Sequence, residues 1–467
     1  MHPTTTSPSL PRPIAGHRGG VMRWRLHTIA VMLGGCLMAL AGCREGSEQA
    51  AAAPHPSAGV AVTSATSANG SGTAAGTASS SSKEAVPPAE EPWLQHTLRA
   101  SDPRFGQWLG QAKQLRLQIL VTVVDDTSDN WTRYEFRVDD EYFYPASAIK
   151  TFLAVAVLRH TSGLLAGDIP LGTRILRCRF NKPGCRPFRE DAKKDEPGHP
   201  KVPEKKKKHQ KLRIGQEIRK MLSYSDNDSF NRLYDIIGHR ELNEAMAALG
   251  FASVRFHHKM NVPAKWSRTT PRVTLLPVGK AAIRIPLRKS DYQLAPTAAT
   301  GLDIGNAYND GGKLVESPMS FAEKNAVSLR DLQRINISLL YPDHPLAAPL
   351  GLSDAQRAHI IKAMTARLSS RKRAAEHGPL TPGMLDVLPI KRARYVSKSG
   401  RAYGFHLENA FIQDTQTKRA MFVTVVVYAN PNGVLNDDDY GYDDTSKPLL
   451  AAVGKALTGA IIMPESP

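Results

Sequence analysis

The stretch Phe143–His160, FYPASAIKTFLAVAVLRH, constrains this chain most. Phe152, Leu153, Val155, Ala156 and Leu158 predict a helix apolar enough to be buried in a core. Ser147 and Lys150 stand three apart at its start, so their side chains share a face about one turn apart. A serine hydroxyl is a poor nucleophile unless a neighbour takes its proton. A lysine amine can do so once burial or nearby charge lowers its pKa. The pair predicts a helix whose first turn faces a cleft. Taken alone, the pattern equally fits a helix N-terminus with an ordinary surface lysine.

Two further segments bear on that choice. Ser225-Asp226-Asn227 interrupts the helical stretch Gly215–Ile237, where Asp226 and Asn227 can satisfy free backbone groups. The same residues also read simply as the N-cap of the helix that follows. Val396-Ser397-Lys398-Ser399-Gly400 lies just before a predicted turn at Arg401–Gly404, which a strand follows. Strands are expected at Leu115–Asp125, Thr132–Val138 and Ala420–Tyr428, the last fully buried. Helices are expected at Trp93–Lys113, Glu241–Gly250, Ser328–Leu340, Ser353–Ser369 and Lys447–Ile462. Strands and a helix at both ends therefore bracket a helical middle.

The N-terminal part reads as targeting sequence rather than fold. Met22-Arg23-Trp24-Arg25 is basic, Ile29–Ala41 is apolar, and Leu40-Ala41-Gly42-Cys43 follows. The apolar run falls short of the ~20 residues that a membrane span needs. Residues 1–43 resemble a bacterial lipoprotein signal, which implies lipidation of Cys43. Arg44 stands where an inner-membrane retention signal would have aspartate, so the periplasmic side of the outer membrane is expected. Residues 44–92 are rich in Ala, Ser, Thr, Gly and Pro and read as a disordered tether.

The remaining cysteines, Cys178 and Cys185, are expected to close a short disulfide loop in an oxidising compartment. No metal site is expected, because further Cys or His ligands are not grouped near them. The net charge of +18 suggests anionic partners. Much of it comes from a basic insertion, residues 186–213, read as an exposed loop. Nucleic acid is not expected, since aromatic and basic residues do not alternate as a base-stacking strand requires. Residues 251–325 form an irregular insertion with little periodicity.

Ser147-x-x-Lys150, Ser225-Asp226-Asn227 and Lys398-Ser399-Gly400 occur in the order of the Ser-x-x-Lys, Ser-Asp-Asn and Lys-Thr-Gly set of class A β-lactamases and penicillin-binding proteins. The phrases YFYPASAIK, MLSYSDNDSFNRLYDIIG and NEAMAALGF resemble that superfamily's surroundings, and the resemblance spans Gln114–Tyr428 with two interruptions. It implies an α+β fold for residues 93–467: an antiparallel five-stranded sheet flanked by helices, plus an all-helical subdomain. It implies Ser147 as nucleophile, Lys150 as its base and Ser225 as proton relay to the leaving nitrogen. Asn227 would bind the substrate's amide side chain. Lys398 would pair with the Ser225 hydroxyl and the substrate carboxylate, which Ser399 also binds at the Gly400 turn. The backbone N–H groups of Ser147 and Arg401 would form the oxyanion hole.

One part of the pattern is missing. Class A enzymes carry Glu-x-x-Leu-Asn between the second and third motifs, and this chain does not. Glu316 and Glu323 are the candidate deacylation bases, and neither has the Leu-Asn partner. The resemblance thus implies a monomeric, cofactor-free serine hydrolase acting on a β-lactam or related amide. The alternatives are a D,D-peptidase acting on cell-wall peptide, or a non-catalytic lipoprotein that binds an envelope component.

Overall fold

The computed structural model describes residues 91–177, 212–262, 264–366 and 368–464. The signal, the tether, Cys43, Cys178, Cys185 and residues 186–211 of the basic insertion lie outside them.

A central antiparallel sheet organises the fold. Its order across the sheet is Ala393–Ser397, Phe405–Asp414, Ala420–Tyr428, Gln118–Val124, Thr132–Phe136. A sixth short segment, Gly400–Ala402, also pairs with Phe405–Asp414 and continues the edge strand past Lys398 and Ser399. The expected five-strand path is therefore present, with its edge strand in two pieces.

Alternation along the two central strands sends side chains to opposite layers. Leu407, Phe411, Phe422 and Val426 face the layer that contains the Lys150–Leu164 helix. Ala410, Ile412, Met421, Val423, Val425 and Val427 face the layer built from the terminal helices Trp93–Ser101 and Lys447–Leu457. Covered on both faces, Ala420–Tyr428 can be apolar throughout, which explains AMFVTVVVY.

The helix carrying Ser147 differs from the sequence expectation at its start. Ala146–Ile149 forms a 3₁₀ turn, and the α-helix runs from Lys150 to Leu164. Phe152 through Leu158 are all fully buried, so this helix is the axis of the helical layer. At roughly 1.5–3 kcal/mol for each large apolar side chain, that burial fixes the first turn firmly against the sheet. The Trp93–Lys113 helix is broken by Asp102-Pro103 into Trp93–Ser101 and Phe105–Gly110, since proline restricts the residue before it.

Buried polar groups tie the helix Leu329–Leu340 to the sheet. Thr122 donates to Gln333 (2.6 Å), Thr424 to Asn409 (2.9 Å), and Asn336 to the Asn409 carbonyl (3.1 Å). That carbonyl also accepts from the Lys398 backbone N–H (3.1 Å), so the network reaches the third motif.

Residues 251–325 are not featureless. They hold strands of two to four residues, among them Val273–Leu276, which pairs with both Arg174–Arg177 and Ile283–Ile285. Elements this short leave no readable period in a sequence.

Candidate active site

The three motifs converge where the Ser147 turn, the Ser225 loop and the edge strand meet. The first and third pack backbone against backbone at Gly400. A β-carbon placed on Gly400 would sit 2.4 Å from the Pro145 carbonyl oxygen and 3.1 Å from the Ala148 nitrogen. Both are backbone atoms beside Ser147, so only glycine lets the strand lie against this turn. This is the physical requirement behind Lys-Ser-Gly. Arg401 follows directly on the same strand, and its guanidinium stacks over Tyr442, 5.1 Å from the ring centre.

Lys150 joins the first motif to the second. Its ammonium donates to the Ser225 carbonyl (2.6 Å), to Asn227 Oδ1 (2.6 Å) and, more weakly, to the Ser225 hydroxyl (3.3 Å). The side chain is fully buried. Burial, reinforced by the Lys398 charge and opposed by Asp226, lowers its pKa to about 7. The amine can therefore lose its proton near neutrality, as a base for Ser147 must.

Two residues hold left-handed backbone conformations here: Ala146 (φ +46°), just before Ser147, and Ser225 (φ +55°). Each costs on the order of 1–3 kcal/mol and persists only where its surroundings impose it. The Ser225 loop is fixed from behind. Asp226 caps the helix Asn227–Ile237 by accepting from the Ser229 N–H. Buried Glu217 accepts from the Ser229 hydroxyl (2.9 Å) and from Arg232 (2.6 Å).

Lys398 is 4% exposed, and burial lowers its pKa to about 8, against the pull of Glu408. Its ammonium donates to the Ser399 carbonyl (2.8 Å). The expected Lys398–Ser225 hydrogen bond is not formed; Lys150 reaches the Ser225 hydroxyl instead. Lys398 and Ser225 nevertheless line one cavity, together with Ser397, Ser399, Tyr224 and the helix Arg371–His377. The cavity measures roughly 400 Å³. A substrate carboxylate could enter it and meet the Lys398 ammonium and the Ser399 hydroxyl. Asn227 departs in part from expectation: its Oδ1 is taken by Lys150, which leaves its Nδ2 to donate.

Glu316 and Glu323 are both exposed, and neither forms a hydrogen bond to Ser147, Lys150, Ser225 or Lys398 among the described residues. The structure gives neither the position of a base. It reveals instead a loop clamped to the helix that carries Asn227. Asn231 donates to the Met260 carbonyl (2.8 Å) and accepts from the Met260 N–H (2.9 Å). Lys259, beside it, pairs with buried Asp235 at 2.6 Å. The loop held to this helix at Asn231, one turn beyond Asn227, thus carries Met260, whose side chain is buried. The one signal for this clamp in the sequence is that Asn231 follows Asn227 by four, on the same helical face.

Fold and motif geometry together define a serine hydrolase fold of the β-lactamase type. A model of the beta-lactamase enzyme family matches residues 107–461, and the chain belongs to that family. Solved structures are similar at low identity. The β-lactamase from Sphaerobacter thermophilus is 16% identical, covering 79% of this chain and 96% of that one, with a TM-score of 0.43. That from Burkholderia vietnamiensis is 16% identical over 76% and 97%, with a TM-score of 0.42. The class A β-lactamase from Clostridium kluyveri is 14% identical over 76% and 97%, also at 0.42. No curated protein matches the chain.

Proposed function

We propose that this protein is an acyl-transfer enzyme that forms an acyl-enzyme on Ser147 with a β-lactam or a related amide. The observation that carries the reading is the Lys150 amine. It is fully buried, brought to a pKa of about 7, and held against Ser225 and Asn227 at the start of the Ser147 helix. In this reading Lys150 takes the Ser147 proton as the oxygen attacks the carbonyl. Ser225, within 3.3 Å of Lys150, passes a proton to the leaving nitrogen. Lys398 and Ser399 bind the substrate carboxylate. Incubation with a penicillin, followed by intact mass spectrometry, should give one adduct that maps to Ser147. No adduct on the wild-type protein, or an adduct retained by Ser147→Ala, would sink the reading.

The lack of Glu-x-x-Leu-Asn favours slow deacylation, because neither Glu316 nor Glu323 is hydrogen-bonded to the motif residues, among the described residues, to activate water there. This points toward a penicillin-binding type of enzyme acting on cell-wall peptide. An adduct that persists for minutes supports it, and one lost within seconds supports an efficient lactam hydrolase.

Export and lipid anchoring through Cys43 belong to the same proposal and rest on the signal pattern ending at Gly42-Cys43. Cys43→Ala should move the protein from the membrane fraction to the soluble fraction.

A further inference from the structure

Glu408 is a buried carboxylate that the proposed reaction does not use. It lies on the long strand Phe405–Asp414 and is fully buried. By strand alternation it shares a face with Ala410 and Ile412, in the layer of the terminal helices. The Tyr395 hydroxyl donates to its Oε2 (3.0 Å). Its Oε1 has no partner of normal hydrogen-bond geometry, although the Ser397 hydroxyl is near enough to favour the charged form. Gly378 leaves it no slack, since a β-carbon there would lie 2.2 Å from Oε2. A carboxylate with an unpartnered oxygen in an apolar layer is costly, and fold stability would be better served by an apolar side chain.

Strand pairing relates it to the Lys398 segment. Register places Ser397 opposite Ala410, the Lys398 N–H donates to the Asn409 carbonyl, and Gly400 lies opposite Leu407. Glu408 is therefore on the strand paired with the Lys398-Ser399 segment. It faces the back of the strand pair whose front carries Lys398. Both groups are dry, so little solvent screens them from each other. Burial raises the Glu408 pKa to about 7, and the Lys398 charge resists that rise. The other charged or titratable groups on the flanking elements are Arg394 on the edge strand, Arg371, Lys372, Arg373, Glu376 and His377 on the helix ending at Gly378, and Lys447 and Lys455 on the terminal helix. On its own strand, burial holds His406 neutral. The Tyr395 hydroxyl and, after it, the Lys398 charge favour the ionised form of Glu408.

We propose that Glu408 is a positioning residue for Lys398: its buried carboxylate is the counter-charge that keeps the Lys398 ammonium protonated and available to a substrate carboxylate. The inference rests on the acyl-transfer reading above, and the experiment separates the two. The acylation rate constant of the full protein with a penicillin is measured from pH 6 to 10. The wild type, Glu408→Gln and Tyr395→Phe are compared, with folding checked by circular dichroism. Gln keeps the shape and the Tyr395 contact but removes the charge. The falling alkaline limb, set by loss of the Lys398 proton, should then move down by about one pH unit. Tyr395→Phe weakens the ionised form of Glu408 and should move the limb the same way by less. It decides alone if the Gln variant does not fold. A purely structural role would lower the rate at every pH without moving the limb, and that result overturns the inference while leaving acylation of Ser147 intact. Absence of acylation in the wild type would remove the parent reading, and this one with it.

Discussion

The fully buried Lys150 ammonium lies 2.6 Å from Asn227 Oδ1 and 2.6 Å from the Ser225 carbonyl. Two elements separated by the whole helix and the basic insertion are thereby locked together at the amine that must act as base.

This contact sets a pH dependence. Lys150 works as a base only when neutral, so acylation should rise as pH passes about 7. Lys398 binds a carboxylate only when charged, so the rate should fall through about 8. A bell centred between these values is expected in the acylation rate constant. Lys150→Arg, which stays charged throughout, should lose at least ~100-fold in acylation and show no acid limb of this origin. A rate constant flat from pH 6 to 9 would contradict both assignments.

Gly400→Ala tests the approach of the edge strand to the Ser147 turn. The new methyl would press on the Pro145 carbonyl, a backbone group that cannot swing aside. A loss of about 1–3 kcal/mol in urea unfolding is expected, with acylation falling more steeply than stability. A variant as stable and as active as the wild type would show that the strand does not need this closeness.

Asn231→Ala removes both hydrogen bonds that clamp the loop at Met260. Leaving those backbone groups unpaired should cost on the order of 1–3 kcal/mol. Hydrogen exchange should quicken at residues 258–262 before the rest of the helical layer responds. Unchanged protection there would show that other contacts hold the loop.

Lys259→Met leaves Asp235 buried without its cation, which should cost about 3–5 kcal/mol in thermal or urea unfolding. The double variant Lys259→Met, Asp235→Leu removes both charges and should recover much of that loss. A double variant no better than the single one would mean that packing, rather than the lone charge, sets the cost.

Much of the architecture could be read from residues alone. The runs Phe152–Leu158 and Ala420–Tyr428 are apolar throughout and the helix Leu329–Leu340 carries a helical period, and each appears where its pattern places it. The short strands of residues 251–325 could not be read, because two to four residues hold no period. Spacing alone puts Ser147 in one helix with Lys150; the chain instead makes a tight 3₁₀ turn there, with Ala146 in the left-handed region. That conformation is imposed by the strand packed against it, which local propensity does not encode.

Sequence by itself determined which groups are available: a serine and a lysine one turn apart, a Ser-Asp-Asn loop, a lysine before a glycine, and the absence of Glu-x-x-Leu-Asn. Those are covalent facts, carried by residue type and spacing. Only the tertiary structure decided that Lys150 rather than Lys398 holds the Ser225 hydroxyl, that Met260 is clamped by Asn231, and that Glu408 is buried on the strand paired with the Lys398 segment. Hydrogen bonding and burial depend on which distant segments share a volume from which water is excluded. That is settled by packing the whole sheet and both helical layers, and by no single stretch of chain.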